Sequence, residues 1–493
     1  MTDTIVQSVE VPDSPVGGRV SWLVDALSSE REVTADEISE AFDEAFLAQM
    51  PAAAVAGMFN SPQVANTALG ALQTPSEYAA VVDMVPDGDG LKFRMKVMVD
   101  QAAPHRIVSL GVDAVMDSAP GAMPRDWSEL SGGAPVRHAY PGANAVEDEA
   151  ASDLEELIDE AREEAQFVGL AASVGGPDGL VWFRGFGQAD SAGRAVEADT
   201  VFRIGSVSKT MTAIGILQLV EAGNFGLDDA VNEVLKGYRI ESPEGSPTVT
   251  VRHLLTHTSG IDPRPVDIGV TFGEPVPPLT EFYAGGLKAE RPVGPTMVYS
   301  NDAFATLGQI IEEQRGKPFP EAMHETLFAP LGMGSTSFTR DAHLTDRLVT
   351  GYNADGESVV ETLDRDIIVL GAGSVYSTAE DMAKYTACLL ASGAPVLQRE
   401  TLESMWAAQD VTFPDAFGKA HMGLAFIVHD FDGERVVWHN GGWPGAATSM
   451  WAAPEAGRSV VLTANLFGPE QSARLDKLGK DLIARLLGGA PAE

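Results

Sequence analysis

The chain has 493 residues, with 71 acidic against 33 basic side chains and a formal net charge of −38. Its length allows two or three domains, and its 44% hydrophobic content is that of a globular protein. A surface this acidic repels the phosphates of nucleic acids and of anionic lipids, so we expect no nucleic-acid partner and no membrane partner. The single cysteine, Cys388, excludes an internal disulfide, and its apolar neighbours predict a buried side chain.

The sequence also lacks a recognisable export or membrane-spanning segment. Its first residues show neither the basic region nor the apolar region of a secretory signal peptide. No run of about 18 apolar residues follows that would cross a bilayer. These features predict a cytoplasmic protein.

Residues 20–120 are predicted to form a small α+β domain. Thr34-Ala35-Asp36-Glu37 matches a capping box, and the apolar residues after it continue at the spacing of one amphipathic helix: Ile38, Phe42 and Phe46. A shorter helix over Pro51–Phe59 and three antiparallel strands are predicted next: Glu77–Val85, Leu91–Val99 after a turn at 87–90, and His105–Val115. In layout this resembles the cone-shaped fold of nuclear transport factor 2-like (NTF2-like) and ketosteroid isomerase-like domains, and we assign it no chemistry.

Residues 121–150 are rich in Pro, Gly and Ala, which predicts a linker to a second domain at 151–493. That domain begins with a helical stripe at 154–161 and a predicted strand hairpin, Phe167–Val174 with Leu180–Gly187. Further strands and a final helix are predicted near the C-terminal end: Phe426–His429, Arg435–Trp438, Ser449–Ala453, Ser459–Asn465 and Glu470–Leu487. The pattern favours an antiparallel sheet with helices packed on it.

Ser206 and Lys209 stand three residues apart at the predicted start of a helix, whose apolar stripe is Met211, Ile214, Leu217 and Val220. Three residues are about one helical turn, so the hydroxyl and the amine face the same way in the positive field of the helix N-terminus. This places a potential nucleophile beside a potential base. The same short pattern also fits a helix cap followed by a solvated lysine. Ser208 is the competing serine, but it does not share the helical face of the lysine.

A second candidate pattern is His253 and His257, four residues apart and expected on one helical face. The glutamate of a zinc-binding H-E-x-x-H motif and a nearby third ligand are both missing, so we expect no metal site here. The structural interpretation is a helix end that turns at Gly260 beneath the active site. The Pro-rich residues 262–298 that follow are predicted to form a lid or specificity loop, which leads into Tyr299.

Three motifs therefore stand in order along the chain: Ser206-Val207-Ser208-Lys209, Tyr299-Ser300-Asn301 and His439-Asn440-Gly441. Together they resemble the serine beta-lactamase-like family, the group of class C beta-lactamases, DD-peptidases and family VIII esterases, over about residues 151–493. Two flanking segments also look like family signatures: Leu254–Gly260 and Gly371–Thr378. Such a domain behind an isomerase-like one is similar to an actinobacterial architecture known from the clavulanic-acid gene cluster.

The resemblance implies an α+β fold in which an antiparallel sheet is flanked by helices and joined by a helical subdomain, preceded by the small cone-like domain. It implies Ser206 as the nucleophile that forms an acyl-enzyme and Lys209 as its base. Tyr299 would share proton transfer to and from the serine and the leaving group. No cofactor and no metal are expected, and the expected partner is a small-molecule acyl substrate.

The resemblance also implies the substrate-binding residues. Asn301 would hydrogen-bond Lys209 or the substrate, and His439, Gly441 and Gly442 belong to the third motif. By motif position, the backbone N–H groups of Ser206 and Gly442 would hold the oxyanion.

One departure concerns the third motif, which usually begins with lysine in K-T-G and here begins with His439. A permanent cation binds a substrate carboxylate, whereas histidine is only partly charged near pH 7. We therefore predict an esterase-like serine hydrolase acting on small acyl esters or amides. The alternatives are a beta-lactamase or D-amino-acid peptidase, and a ligand-binding or regulatory protein without efficient turnover.

Overall fold

The computed structural model describes residues 11–28, 31–60, 67–86, 92–114, 119, 122–130, 136–137, 148–262, 268–355, 358–363, 365–412, 420–431 and 433–488. The chain divides into two compact units, Met1–Asp117 with Arg264–Ile268 and Ser118–Pro263 with Gly269–Glu493. All residues of the predicted site belong to the second unit. The domain limits expected from the sequence, at 20–120, 121–150 and 151–493, remain predictions.

The first unit consists of helices followed by an antiparallel sheet, as its sequence predicts. The helices are α1 (Pro15–Ser28), α2 (Ala35–Ala41), α3 (Glu44–Gln49) and α4 (Ala52–Phe59). The sheet has the order β1 (Thr67–Ser76), β2 (Ala79–Pro86), β3 (Phe93–Val99) and β4 (Ile107–Ala114). Alternate residues of β3 are buried, so the predicted half-buried strand is confirmed. The likeness to NTF2-like domains stays a prediction.

One expectation for the first unit is wrong, and one of its strands was not predicted. Thr34 and Glu37 form the predicted capping box, but the helix ends at Ala41 instead of continuing through Phe46. The Asp43 side chain accepts a hydrogen bond from the Phe46 N–H and thereby begins a separate helix, α3. Strand β1 was not predicted, because its pairing with β2 is irregular and its sequence lacks a clean alternation. The turn expected at 87–90 lies outside the described residues.

The second unit is built on an eight-stranded sheet whose order is β17-β18-β19-β20-β21-β7-β8-β6. Every neighbouring pair is antiparallel. The strands are β6 (Val136–Arg137), β7 (Gly169–Gly176), β8 (Gly179–Gly187), β17 (Ala420–Met422), β18 (Ile427–Phe431), β19 (Glu434–Trp443), β20 (Ala446–Ala453) and β21 (Arg458–Ala464). β19 extends past the predicted end at Trp438, so the third motif lies on a strand and not after one.

Helices cover both faces of this sheet. Leu170, Ala172 and Val174 of β7 share one apolar core with helices α6 (Asp148–Ala165) and α18 (Pro469–Leu486). Ala171, between them, faces the opposite side and packs in a core with Ala379 at the start of α16 (Ala379–Leu390). Successive side chains of β7 thus serve two layers of helices, and the expected fold class is confirmed.

The helical subdomain is centred on α7 (Ser208–Glu221), in which every residue from Ser208 to Leu217 is buried. It packs against α11 (Asn301–Arg315) and α15 (Leu370–Gly373). The remaining helices are α5 (Trp127–Leu130), α8 (Val231–Val234), α9 (Val251–Leu255), α10 (Leu279–Phe282), α12 (Phe319–Met323), α13 (Ala329–Leu331), α14 (Ala342–Thr345) and α17 (Arg399–Trp406), with a π-helical turn at His324–Phe328.

Short strands complete the second unit. They are β5 (Arg125–Asp126), β9 (Phe202–Arg203), β10 (Ile240–Glu241), β11 (Gly269–Thr271), β12 (Leu287–Lys288), β13 (Tyr352–Asp355), β14 (Ser358–Glu361), β15 (Arg365–Ile367), β16 (Tyr376–Ser377) and β22 (Leu466–Phe467). In the segment predicted as a linker, β5 pairs with β14 and β6 pairs with β8. The Pro-rich segment contains β11, α10 and β12, while its residues 263–267 lie outside the described part. Cys388 is buried, as predicted. Among the described helices, none combines the length and apolar character needed to cross a bilayer.

Candidate active site

The candidate nucleophile lies in a tight turn between strand β9 and helix α7. Residues Gly205–Val207 form a 3₁₀ turn, and α7 begins at Ser208, so Ser206 precedes the helix and Lys209 lies in its first turn. Gly205 has a φ of +50°, a left-handed conformation that favours glycine. A Cβ at this position would lie 2.6 Å from the backbone nitrogen of Gly442. Glycine therefore allows β19 to pack directly against the nucleophile turn.

Lys209 is fully buried and lies between three oxygen atoms. Its Nζ is 3.0 Å from Ser206 Oγ, 2.8 Å from Asn301 Oδ1 and 2.6 Å from the Ala372 carbonyl oxygen. None of these three partners is a carboxylate, and burial lowers the pKa of Lys209 well below its ordinary value. A neutral amine has two N–H donors for Asn301 and Ala372 and one lone pair for the Ser206 hydroxyl. The geometry fits a lysine that acts as a base.

Tyr299 is the third group on the serine. Its hydroxyl hydrogen-bonds Ser206, and its ring centroid is 4.8 Å from Lys209 Nζ. Although 39% of the residue is exposed, burial of the hydroxyl raises its pKa above the ordinary value, and the hydrogen bond to Ser206 acts in the opposite direction. The phenol therefore keeps its proton at neutral pH and can pass it on. The structure thus brings four of the predicted site residues into one connected cluster: Ser206, Lys209, Tyr299 and Asn301.

His257 is a member of the site that sequence reasoning missed. Its imidazole Nδ1 accepts a hydrogen bond from the Ser300 N–H at 3.1 Å, and its ring stacks on Tyr299 with centroids 4.3 Å apart. The residue is only 1% exposed. Burial, then the nearby Lys209 and His439, lower the pKa of His257 well below its ordinary value. The neutral ring therefore supports both the backbone and the side chain of the second motif.

The expectation that His253 and His257 share one helical face is wrong. Helix α9 ends at Leu255, and His257 has a left-handed backbone with a φ of 59°. His253 instead caps the start of α9 through its contacts with Thr250. Within the described ranges, no group of His, Cys, Asp or Glu side chains is placed to hold a metal ion. The signal for His257 was its place in the flanking signature 254–260, which ties the turn to the second motif.

The third motif lies on β19, whose backbone touches the nucleophile turn. A Cβ at Gly441 would be 2.0 Å from the Ile204 carbonyl oxygen and 2.9 Å from the Ser206 nitrogen. Gly442 is exposed, and its nitrogen is the atom that a Cβ on Gly205 would meet. The two N–H groups predicted to hold an oxyanion, those of Ser206 and Gly442, thus belong to two segments in direct backbone contact.

His439 is buried on the same strand, with 4% of its surface exposed. Its Nδ1–H donates a hydrogen bond to the Asn440 carbonyl oxygen, with 2.5 Å between the nitrogen and the oxygen. Burial, reinforced by the nearby Lys209, lowers the pKa of His439 to about 4. The side chain is therefore neutral near pH 7. Asn440, which faces the other side of the sheet, donates to Asp476 Oδ2 at 2.6 Å.

The Ser208 hydroxyl has a structural role, since both of its hydrogen bonds are to the backbone. Its hydroxyl donates to the Gly205 carbonyl oxygen at 2.6 Å and accepts from the Val375 N–H at 3.1 Å. One turn further along α7, the Thr212 hydroxyl donates to the Gly371 carbonyl oxygen at 2.8 Å. These bonds and the Lys209 contact with Ala372 fasten the segment 371–375 to the helix that carries the base.

Comparison with known families gives two matches. The family model described as Beta-lactamase matches residues 154–485 and includes all three motifs. A second family model, described as ORF 12 gene product N-terminal, matches residues 11–103 in the first unit.

Individual relatives and solved structures are similar to part of this chain. The chain is 28% identical over 334 residues to unguisins hydrolase ungD' of Aspergillus campestris, covering 64% of this chain and 61% of that protein. It is 32% identical over 202 residues to esterase EstB of Burkholderia gladioli, covering 38% of this chain and 51% of that protein. The match thus spans less than two thirds of either relative. The octameric penicillin-binding protein homologue from Pyrococcus abyssi is 27% identical with a TM-score of 0.59, covering 69% of this chain and 78% of that chain.

Proposed function

The chain belongs to the beta-lactamase family, and on that premise we propose that it is a serine hydrolase that forms an acyl-enzyme on Ser206. Its proposed substrates are small esters or amides without a carboxylate next to the scissile bond. The observation that carries the proposal is the 3.0 Å contact between Ser206 Oγ and the fully buried Nζ of Lys209. A serine hydroxyl is a weak nucleophile until a neighbouring base accepts its proton.

Acylation begins when Lys209 accepts the Ser206 proton while Oγ attacks the substrate carbonyl carbon. Burial lowers the pKa of Lys209 well below its ordinary value, which favours the neutral amine that can accept this proton. The backbone N–H groups of Ser206 and Gly442 stabilise the negative charge that develops on the carbonyl oxygen. Tyr299 then donates its proton to the leaving group as the carbon–oxygen or carbon–nitrogen bond breaks, and it is reprotonated from Lys209.

Deacylation uses the same groups in reverse. A water molecule takes the position of the leaving group, and Tyr299 with Lys209 accepts its proton as it attacks the ester carbon of the acyl-enzyme. The Ser206 oxygen then leaves and recovers its proton from Lys209. Asn301 holds the amine through its Oδ1, which keeps the lysine pointed at the serine in both half-reactions.

The preference for uncharged substrates rests on His439. A lysine at the start of the third motif would supply a permanent cation, but the pKa of His439 is lowered to about 4 and its ring is neutral near pH 7. A substrate carboxylate beside the scissile bond therefore gains no charge-assisted hydrogen bond from this position. The resemblance to an esterase agrees with this preference.

The second candidate function is a beta-lactamase or D-amino-acid peptidase activity. It is favoured by the structural likeness to a penicillin-binding protein homologue. A binding protein without turnover is disfavoured, because Ser206, Lys209 and Tyr299 are all present and in contact.

The test is steady-state turnover of p-nitrophenyl esters of increasing acyl length, D-alanine p-nitroanilide and nitrocefin. We expect the short acyl esters to have the highest kcat/KM, and intact-mass spectrometry to detect one acyl group on the wild-type chain and none on Ser206→Ala. Rapid nitrocefin turnover with marginal ester hydrolysis would favour the second candidate. Turnover that persists in Ser206→Ala would exclude this site as the source of activity.

A further inference from the structure

A cavity of about 230 Å³ lies at the turn that joins β19 to β20. Its walls carry three arginines, Arg203, Arg340 and Arg365, together with Trp443. We call this space the arginine cavity. Among the residues that the structure describes, one acidic side chain, Glu361, also lines it. A group of three arginines around one cavity is unusual in a chain whose net charge is −38, in which acidic side chains far outnumber basic ones.

The arginine cavity adjoins the candidate active site. Successive side chains of a strand alternate in direction, so His439, Gly441 and Trp443 share one face of β19. That face touches the nucleophile turn, because a Cβ on Gly441 would meet Ile204 and Ser206. The Trp443 ring lies on it too, with its centroid 5.4 Å from the guanidinium carbon of Arg203. Trp443, which lines the cavity, therefore directly follows Gly442 along β19, and the N–H group of Gly442 is a predicted oxyanion donor.

Arg203 is the deepest cation of the arginine cavity, with only 7% of its surface exposed. Its guanidinium lies over the Tyr376 ring at 4.5 Å, and its Nη2 donates to the Arg365 carbonyl oxygen and lies 3.8 Å from Asp366 Oδ1. Its Nη1 is buried and makes no hydrogen bond to any residue in the described ranges. A buried cation with an unused donor is costly unless a further acceptor reaches it.

The other two arginines are held in place by their own contacts. The guanidinium carbon of Arg340 lies 3.9 Å from the centroid of the Phe272 ring, and Arg365 Nη2 donates to the Gly269 carbonyl oxygen at 2.5 Å. Planar guanidinium groups fixed in this way lose little conformational entropy when they bind a carboxylate. The cavity is thus arranged before any ligand arrives.

We propose that the arginine cavity binds a carboxylate carried by the substrate at the end remote from its scissile bond. The inference rests on the proposed function, because it extends the same substrate site. A volume of about 230 Å³ lies below the roughly 300–1,000 Å³ of whole-ligand pockets, so the space takes a substituent and not an entire substrate. Arg203 supplies the most buried of the three guanidinium groups, and Arg340 and Arg365 supply further positive charge around the space.

The test compares two esters that differ only in remote charge, p-nitrophenyl hydrogen adipate and p-nitrophenyl methyl adipate. We expect the wild-type chain to prefer the charged ester in kcat/KM by about tenfold to a hundredfold, the range of a hydrogen bond to a charged group. In Arg340→Gln and in Arg203→Met, checked for folding by circular dichroism, the ratio of the two kcat/KM values should fall toward one. Arg399→Gln removes an exposed arginine on α17 and should leave the ratio unchanged.

A binding measurement tests carboxylate binding in the arginine cavity without depending on turnover. Monomethyl adipate is titrated calorimetrically into Ser206→Ala and into Ser206→Ala with Arg340→Gln, and we expect at least tenfold weaker binding to the second protein. Equal binding, or an unchanged ester ratio in both arginine variants, overturns the inference. If inorganic phosphate binds Ser206→Ala and monomethyl adipate does not, a free anion occupies the cavity and the substrate assignment is wrong. Failure to acylate Ser206 with either ester would instead contradict the proposed function.

Discussion

The imidazole of His257 lies against the phenol ring of Tyr299, with centroids 4.3 Å apart and planes inclined by 30°. The same imidazole accepts the Ser300 N–H, so one buried side chain fixes both the ring and the backbone of the second motif. The Tyr299 hydroxyl reaches Ser206 from this support. Proton transfer in the proposed mechanism therefore depends on a residue that touches neither the nucleophile nor the base by hydrogen bonding.

Replacing His257 with alanine should lower kcat by about tenfold to a hundredfold, because a catalytic group displaced by about 1 Å loses that much rate. KM should change less, since the support acts on proton transfer and not on substrate contacts. His253→Ala is the matched control, because that histidine belongs to the same short segment but only caps α9. It should cost about 1 kcal/mol of stability and leave kcat within about twofold. Equal kcat losses in the two variants would contradict the positioning role.

Fluorophosphonate labelling separates the two serines of the first motif. We expect Ser206→Ala to abolish covalent labelling while Ser208→Ala keeps it, since the Ser208 hydroxyl is already used by Gly205 and Val375. Loss of the Ser208 hydroxyl leaves the Val375 N–H buried without its partner, which should lower the free energy of unfolding by about 1–3 kcal/mol. Gel fluorescence reads the label and thermal denaturation reads the stability. A labelled Ser206→Ala protein would disprove the assignment of the nucleophile.

The pH dependence of kcat/KM should report the buried lysine. Its pKa is lowered well below 10.5 by burial, so the neutral amine persists to lower pH than in a solvated lysine. Activity should fall as the pH drops through this lowered pKa, because the protonated amine cannot accept the Ser206 proton. Lys209→Arg should be inactive at every pH, since a guanidinium does not lose its proton. A profile whose only rising limb lies near 10.5 would show that the amine is charged in the free enzyme.

A cation at the start of the third motif should change the substrate preference. In His439→Lys we expect the ratio of nitrocefin to p-nitrophenyl acetate turnover to rise by about tenfold, because a charge-assisted hydrogen bond becomes available to the lactam carboxylate. His439→Gln, which stays neutral, is the control and should leave the ratio near that of the wild type. An equal ratio in all three proteins would mean that this position does not recognise a carboxylate.

The contact of β19 with the nucleophile turn should tolerate no added methyl group at Gly441. A Cβ there would lie 2.0 Å from the Ile204 carbonyl oxygen, so strand and turn must separate in Gly441→Ala. We expect kcat/KM to fall at least about a hundredfold and stability to fall by about 1–3 kcal/mol. Gly334→Ala is the control, since no atom lies within 4 Å of its added Cβ. Full activity of Gly441→Ala would contradict the direct packing.

The sequence predicted the central residues of the candidate site better than the residue that holds them in position. Ser206, Lys209 and Tyr299 were predicted from the order of three motifs, and the structure brings them into contact, while their catalytic roles stay predictions. His257 was not recognised, because the helical spacing placed it on a helix that in fact ends two residues earlier. Its role depends on one left-handed residue, a conformation that periodicity does not reveal.

Other features also depended on contacts that no local pattern records. Arg203 and Arg340 of the arginine cavity are more than a hundred residues apart along the chain, so only the fold brings them together. The apolar residues between Thr34 and Phe46 are spaced as in one helix. The Asp43 side chain nevertheless accepts a hydrogen bond from the Phe46 N–H, and a new helix begins there. Periodicity predicts which residues are apolar, whereas capping decides where a helix stops.

The third partner of Lys209 is the carbonyl oxygen of Ala372, which belongs to the main chain. A side-chain replacement at this position leaves that oxygen in place. Neither an alanine scan nor a natural substitution at residue 372 therefore removes this group, which helps to orient the base. A single-residue insertion or deletion between 366 and 375 has the opposite effect, since it moves the carbonyl out of register with α7. This stretch should therefore accept substitutions far more readily than changes in length.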